Sequence, residues 1–103
     1  MPDERTRVVC LCGSLRFQDA FETERRRLTS LGVIVLAPEP VDGELTPARR
    51  DALGELHLRR IDLADEVRVV SEGGYVGSAT QREVAYARAL GKAVSAVEPA
   101  LEV

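Results

Sequence analysis

The chain has 103 residues, of which 45% are hydrophobic and 30% charged, with a formal net charge of −3. This length predicts one domain, residues 1–103, built around a single core. The acidic balance argues against nonspecific binding to nucleic acid, which needs a basic face. No apolar run approaches the roughly 20 residues of a membrane span, and the N-terminus lacks an apolar signal core, so we expect a cytoplasmic protein.

Short apolar runs alternate with longer amphipathic segments along the chain. The apolar runs are residues 8–12, 33–36, 67–70 and 93–97. Runs of this kind are typical of strands that are covered on both faces in a parallel sheet. The amphipathic segments predict helices, at 15–31, from 47 to about 63, and from about 79 to 90. Right-handed crossovers then give a three-layer α/β fold of the Rossmann or flavodoxin-like type, with a four-stranded parallel sheet in the order 2-1-3-4.

Local signals mark the ends of the predicted helices. Ser14 is a good N-cap for the first helix, and Gly32 ends it. Thr46 caps the second helix, and Pro47 takes its first position. Helical spacing predicts inward side chains at Phe17, Ala20, Phe21, Leu28 and Leu31 in the first helix, and at Leu53, Leu56, Ile61 and either Leu58 or Leu63 in the second. It places a solvated charged side at Glu22, Glu24, Arg25, Arg26 and Arg27.

Two cysteines, Cys10 and Cys12, lie two positions apart in the first strand and therefore point to the same face. We expect small buried thiols in a reduced compartment. A metal site would need further ligands, and the only histidine of the chain is His57. The sequence therefore predicts no metal.

Two glycine-marked turns follow the first and third strands. In the order 2-1-3-4 the strand order switches between these strands, so the two turns face each other across one crevice. Glycine lets backbone N–H groups approach an anion, and a helix N-terminus favours negative charge. The candidate ligands of an anion are Gly13, Ser14 and Arg16 from the first turn, and Gly74, Gly77 and Ser78 from the second.

These turns also have plainer interpretations. In the plainer interpretation Ser14 is only a helix cap, Arg16 lies in solvent, and the second loop is only a flexible turn. Tyr75 either stacks on a base or packs over its own loop.

Glu83, near the start of the third helix, also has two interpretations. Thr80-x-x-Glu83 is a capping box in which the glutamate reaches back to the N-cap N–H, and Ser78-x-x-Gln81 is a second such box. If Ser78 is the cap, Glu83 lies beyond the first turn and is free for chemistry. A single histidine on a helix, such as His57, is more often a surface or supporting residue than a catalytic one.

Three segments carry a family resemblance: 12–17 (CGSLRF), 61–65 (IDLAD) and 77–83 (GSATQRE). They resemble the nucleoside 2-deoxyribosyltransferase-like superfamily, which includes deoxyribosyltransferases and N-glycosidases that hydrolyse nucleoside 5′-monophosphates. The resemblance extends from about Val8 to Val97. Its most specific piece is a glutamate early in the last helix, followed by small residues and by Gly91-Lys92.

The resemblance implies that Glu83 is a nucleophile. It would attack the anomeric carbon of the sugar and form a glycosyl ester, which is then released to water or to a second base. The transferases of the family carry a carboxylate a few residues before this glutamate, and its monophosphate hydrolases carry a serine. Ser78 at that position implies a phosphorylated substrate.

The resemblance also implies a group that assists the leaving base. Members of the family usually have an acidic residue about two helical turns before their Ala-Asp. His57 stands close to that position, and Asp62 lies nearer to Ala64-Asp65. Either side chain is a candidate general acid.

The sequence thus leads to a hypothesis with alternatives. The hypothesis is an N-glycosidase of (deoxy)nucleoside 5′-monophosphates that needs no cofactor. A deoxyribosyltransferase and a noncatalytic nucleotide-binding module of the same fold are the alternatives. A homodimer is expected because a four-stranded sheet leaves edges and helix faces open.

Overall fold

The computed structural model describes residues 5–103. Four parallel strands form one sheet in the order β2-β1-β3-β4, and helices cover both of its faces. The strands are β1 (Val8–Gly13), β2 (Ile34–Leu36), β3 (Glu66–Val70) and β4 (Ala93–Ala96), and the helices are α1 (Gln18–Ser30), α2 (Pro47–Leu63) and α3 (Ser78–Ala89). A single 3-10 turn, Leu15–Phe17, connects β1 to α1. The predicted fold class and strand order are confirmed.

The side chains of the central strands divide the core into two parts. Because successive residues of a strand face opposite sides, Cys10 and Cys12 point towards α2 and α3, whereas Val9 and Leu11 point towards α1. All four are fully buried. The two cysteines are therefore enclosed beneath the helices that carry the candidate catalytic residues.

Some helix ends follow the predicted signals and others do not. Ser14, predicted to cap the first helix, caps only the 3-10 turn, where its hydroxyl accepts a hydrogen bond from the N–H of Arg16, and α1 begins at Gln18 with no side-chain cap among the described residues. The hydroxyl of Thr46 accepts a hydrogen bond from the backbone N–H of Arg49 at 3.2 Å. Gly32 and Gly91 have φ angles of +82° and +75°, which an L-residue rarely adopts, and each follows a helix as a C-terminal stop.

Three leucines that helical spacing placed inside are exposed. Leu31 is 66% exposed because it lies just past the end of α1, where the chain turns towards β2. Leu63, the last residue of α2, is 71% exposed, and Leu56 is 46% exposed. The side of α2 that packs on the sheet is instead formed by His57 and Ile61, which are buried. The predicted inward positions of Leu31 and Leu56 were therefore wrong. Of the two alternatives Leu58 and Leu63, Leu58 is the one that packs against the core.

Glu24 was predicted on a solvated charged side and is in fact buried. Arg27 donates two hydrogen bonds to its carboxylate, at 2.9 and 2.7 Å, and Arg68 of β3 donates another. Arg68 also donates to the hydroxyl of Ser95 on β4, at 3.1 Å. The charge of Glu24 is thus used to join α1 to the sheet, and helical spacing alone does not reveal this partner.

Among the described residues, no helix is long and apolar enough to cross a membrane.

Candidate active site

The ends of β1 and β3 lie so close together that only glycine fits at position 13. Gly13 pairs with Val70 in the sheet. A Cβ atom at Gly13 would lie 2.3 Å from the carbonyl oxygen of Val70. The first turn therefore runs directly beside the end of β3, as the strand order predicted.

A cavity of about 340 Å³ opens between the first turn and the start of α3. We call it the polar cavity because the hydroxyl-bearing residues Ser14, Ser78 and Thr80 line it beside apolar groups. It combines side chains from both glycine-marked turns, so the structure brings the two turns together as expected. Its lining residues are Gly13, Ser14, Leu15, Tyr75, Gly77, Ser78, Ala79, Thr80 and Glu83.

The N-terminus of α3 faces this cavity without a side-chain cap. Gly77 is the N-cap residue, and within residues 5–103 no side chain accepts a hydrogen bond from the first turn, which also contains no acidic residue. Both predicted capping boxes were therefore wrong: Gln81 donates its side-chain amide to the carbonyl of Val76, and Glu83 points elsewhere. The first N–H groups of a helix carry partial positive charge, so this end of the cavity suits an anion.

The carboxylate of Glu83 is turned into the protein instead of back to its own backbone. Its side chain is 16% exposed, and Oε1 lies 3.9 Å from Nε2 of His57. Burial, followed by the negative charge of Cys10, raises the pKa of Glu83, and His57, a hydrogen bond from Cys12 and Arg82 oppose this shift. Glu83 is thus a carboxylate in a sparsely hydrated place, with a hydrogen-bond donor from another helix beside it.

His57 is a buried neighbour of Glu83, and its proton can be placed from its contacts. Arg60 has only N–H donors and lies with Nη1 3.3 Å from Nδ1 of His57. Nδ1 is therefore the acceptor, and in the neutral ring the proton sits on Nε2. That nitrogen lies 3.3 Å from Sγ of Cys12, on the side where Glu83 is found.

The thiols of Cys10 and Cys12 are free and fully buried, as expected. The pKa of Cys12 is raised far above its usual range, because its hydrogen bond with Cys10, burial and the nearby Glu83 carboxylate all disfavour a second negative charge. Cys12 therefore stays a thiol and acts as a hydrogen-bond donor to Glu83.

A second cavity, of about 400 Å³, lies on the other side of Glu83 and is mainly apolar. One wall is α2, and the other is the proline-marked loop between β2 and α2, to which the sequence analysis gave no role. Its lining residues are Gly13, Leu15, Pro38, Glu39, Pro40, Val41, Leu45, Arg50, Leu53, Gly54, Leu56, His57, Arg60 and Glu83. Glu83 and Gly13 line both cavities, so the two cavities meet at the carboxylate.

Tyr75 packs over its own loop and against the first turn. The guanidinium of Arg16 lies 4.3 Å from the centre of the Tyr75 ring, and Phe17 meets the same ring edge-on at 6.1 Å. Both Tyr75 and Arg16 are exposed. Tyr75 lines the polar cavity, so the guanidinium of Arg16 lies beside its opening. This contact joins the two glycine-marked turns, and it gives Arg16 a fixed position.

Gly74 is not available to a ligand, because its N–H is already used. The carboxylate of Glu98 accepts hydrogen bonds from the N–H groups of Gly73 and Gly74, at 2.9 and 2.8 Å, and from the hydroxyl of Ser71. These bonds lower the pKa of Glu98. Glu98 lies far from this loop in sequence, and only its position in the folded chain reveals that its carboxylate fills the loop as an internal anion.

Asp62 is not brought to the site. Its carboxylate accepts a hydrogen bond from the hydroxyl of Tyr86 at 2.6 Å and pairs with Arg59 at 3.2 Å. It lines neither of the two cavities that meet at Glu83. Of the two candidate general acids, the structure places only His57 next to Glu83.

Comparison with known proteins identifies the fold. No family model and no curated protein sequence matches this chain. Among solved structures, a 2-deoxyribosyltransferase from Bacillus psychrosaccharolyticus has a TM-score of 0.72 at 21% identity, with 93% of this chain and 75% of that chain covered. A 2-deoxyribosyltransferase from Leishmania mexicana has a TM-score of 0.66 at 19% identity, with 89% of this chain and 65% of that chain covered. The chain therefore has the fold of these enzymes, as the family resemblance implied.

Proposed function

We propose that this protein is an N-glycosidase that hydrolyses the base–sugar bond of (deoxy)nucleoside 5′-monophosphates, with Glu83 as its nucleophile. One observation carries the proposal: the carboxylate of Glu83 lies where an apolar cavity meets a polar one. A nucleotide with its base in the apolar cavity and its phosphate in the polar cavity places its anomeric carbon beside this carboxylate. The fold shared with 2-deoxyribosyltransferases supports the same class of reaction.

The phosphate end of the substrate is proposed to bind at the start of α3. The uncapped N–H groups there, together with the hydroxyls of Ser14 and Ser78, supply donors without a competing acidic side chain. Arg16, held against Tyr75 at the mouth of the cavity, adds a positive charge. A charged phosphate gains more from these donors than a neutral 5′-hydroxyl does, which favours a monophosphate over a nucleoside.

The reaction proceeds in two displacements at the anomeric carbon. A carboxylate oxygen of Glu83 bonds to this carbon while the bond to the base breaks, and the electron pair of that bond leaves with the base, which takes up a proton. A water oxygen then attacks the same carbon, releases its proton and restores the carboxylate. The products are free base and sugar 5-phosphate.

His57 serves in this mechanism as a positioning residue. Its Nε2 lies 3.3 Å from Sγ of Cys12 and 3.9 Å from Oε1 of Glu83, so it supports the carboxylate directly and through Cys12, while Arg60 holds the ring from the Nδ1 side. Because both ring nitrogens face protein groups, a different group is proposed to protonate the base. Glu39, the other carboxyl group among the described residues of the apolar cavity wall, is our candidate. Asp62 has no part in the proposal.

A chromatographic screen of nucleoside monophosphates for released base tests the proposal. We expect Glu83→Gln to slow base release by about a thousandfold or more, because the amide cannot form the glycosyl ester. Glu22→Gln is the matched control, since the side chain of Glu22 is 46% exposed on α1 and lines neither cavity, and it should keep the wild-type rate. Equal rates for Glu83→Gln and the wild type would rule out the mechanism.

The named activity of the two similar structures makes a deoxyribosyltransferase the second candidate. Adding a free base to the reaction distinguishes a deoxyribosyltransferase from the proposed hydrolase. A transferase converts the added base to a new nucleoside or nucleotide, whereas the proposed hydrolase yields sugar phosphate whether or not a base is added. Saturable nucleotide binding with no product in either assay would instead indicate a binding module.

A further inference from the structure

A compact group of sulfur and nitrogen atoms lies directly beneath Glu83. Sγ of Cys10, Sγ of Cys12 and a ring nitrogen of His57 all lie within 4.8 Å of one another, and all three residues are buried. The two cysteines share a face of β1 because side chains alternate along a strand, and His57 comes from α2. Soft ligands from two elements thus meet in one enclosed place.

The spacing of these atoms matches the coordination sphere of a zinc ion. Nε2 of His57 lies 3.3 Å from Sγ of Cys12, 3.8 Å from Sγ of Cys10 and 3.9 Å from Oε1 of Glu83. In a tetrahedral site with Zn–S bonds of about 2.3 Å and Zn–N bonds of about 2.0 Å, neighbouring ligand atoms lie about 3.5 Å apart. Only small movements of the side chains are needed to place an ion between them.

We propose that Cys10, Cys12, His57 and Glu83 form a binding site for a thiophilic divalent cation, with Zn²⁺ as the best match. Two thiolates with one imidazole select Zn²⁺ over the hard cations Mg²⁺ and Ca²⁺, which prefer oxygen ligands. Counting ligands along the sequence argued against a metal, because the chain has only two cysteines and one histidine. The fold collects all three within 4.8 Å of one another. The carboxylate of Glu83 lies outside that group but 3.9 Å from Nε2 of His57, and it would complete the coordination sphere by turning towards the ion.

Binding requires specific proton movements. Cys12, which is a thiol in the free protein, loses its proton to solvent as its Zn–S bond forms, and Cys10 binds the ion as a thiolate. Nε2 of His57 becomes a ligand, so the ring proton moves to Nδ1, where Arg60 now donates. The guanidinium of Arg60 must therefore turn away, and it borders the apolar cavity, which gives it room to do so.

A zinc ion in this site would bind the carboxylate of Glu83, which is the proposed nucleophile. An ion bound to Glu83 prevents attack on the sugar, so Zn²⁺ would inhibit the N-glycosidase. This consequence rests on the proposed function. The binding itself does not, and it can be tested in a protein that proves to have no such activity.

Titration of the reduced protein with Co²⁺ tests the site, because cobalt takes the place of zinc and absorbs light. We expect a near-ultraviolet sulfur-to-cobalt charge-transfer band that saturates at one equivalent, disappears when Zn²⁺ is added, and is unaffected by Mg²⁺. Since Cys10 and Cys12 are the only cysteines of the chain, this band reports on them alone. Cobalt binding without the band would place the ion on surface carboxylates and overturn the proposal.

Variants identify the other ligands. His57→Gln and Glu83→Gln should each weaken Co²⁺ binding, and Cys10→Ala combined with Cys12→Ala should abolish the band, whereas Glu55→Gln should bind as the wild type does. An unchanged titration of His57→Gln would overturn the proposal. Circular dichroism checks the fold of each variant. Release of at least one proton per Zn²⁺, from Cys12, measured in weakly buffered wild-type protein, needs no variant, and its absence would also count against the site.

Discussion

Glu83 carries a stability cost that follows from its place in the fold. A carboxylate buried beside thiols loses hydration that the unfolded chain retains, and its pKa is raised for this reason. The folded protein therefore holds the Glu83 proton to a higher pH than the unfolded chain does. The protonated carboxyl group therefore contributes to the free energy of unfolding at pH values below 4.5, the ordinary pKa of a glutamate. This contribution is lost as the pH rises through the pKa of Glu83 in the folded protein.

Glu83→Gln should remove this dependence on pH. We expect the free energy of unfolding of the variant, relative to the wild type, to increase as the pH rises from below 4.5 to neutrality. Urea unfolding at a series of pH values measures the difference, with Glu55→Gln as the exposed control. A constant difference between Glu83→Gln and the wild type across this range would contradict the raised pKa.

Two glycines make a matched pair for testing how closely β1 approaches β3. Gly13→Ala should destabilise the protein by about 2 kcal/mol or more, because the added Cβ meets the carbonyl oxygen of Val70 and the backbone must shift. Gly54 lies within α2, where a Cβ has nothing within 4 Å. Gly54→Ala should stabilise by up to about 1 kcal/mol through helix propensity. Thermal or urea unfolding compares them, and equal effects would refute the close approach.

At the scale of elements, buried charge joins α1 to the sheet. Glu24 accepts hydrogen bonds from Arg27 and Arg68, and the first of these is the main reason that its pKa is lowered. Its contribution to stability is therefore present above its ordinary pKa and is lost as the pH falls below that value, opposite in sign to the contribution of Glu83.

Glu24→Ala should cost about 3 kcal/mol of unfolding free energy at neutral pH, because Arg68 would be left in a mostly buried place without its partner. Glu22→Ala provides the control on the same helix. The carboxylate of Glu22 is 46% exposed and pairs with Arg25 and Arg26, so its loss should cost less than about 1 kcal/mol. Urea unfolding of both variants gives the comparison. Similar losses would mean that the contact with Arg68 contributes little.

Local signals predicted some element ends and failed at others for a physical reason. The Thr46 cap and the Gly32 and Gly91 stops depend on bonds within a few residues, so the sequence contains what is needed to find them. The start of α3 offered two capping boxes and uses neither. Glu83 instead meets His57 and Cys12, which come from other elements, and sequence spacing carries no information about such partners.

At the scale of the whole molecule, the alternation of strands and helices was enough to predict the parallel sheet and its order. That order also predicted which two turns meet. The sequence could not predict the apolar cavity, the position of the thiols beneath Glu83 or the hydrogen bond between Gly74 and Glu98. Each of these depends on distances between segments that are far apart in sequence. The position of Asp62 was misjudged for the same reason.

The expected homodimer can be tested through α2. Leu56 and Leu63 lie seven residues apart, hence on one side of the helix, and are 46% and 71% exposed. We expect light scattering with size-exclusion chromatography to give the mass of a dimer, and Leu63→Glu to shift it to a monomer. Leu90→Glu, at a leucine 49% exposed just past α3, is the control. A wild-type monomer at micromolar concentrations would contradict the expectation.

Lys92 ties together the two helices that carry His57 and Glu83. Its ammonium group donates to the carbonyl oxygens of Asp62 and Ala64 at the end of α2, at 3.0 and 2.5 Å, directly after the glycine that ends α3. Tyr86 of α3, bound to Asp62, strengthens the same connection. Any widening of the cleft to admit a nucleotide should therefore be a hinge motion about this fixed corner, largest at the opposite end of α2, where the proline-marked loop begins.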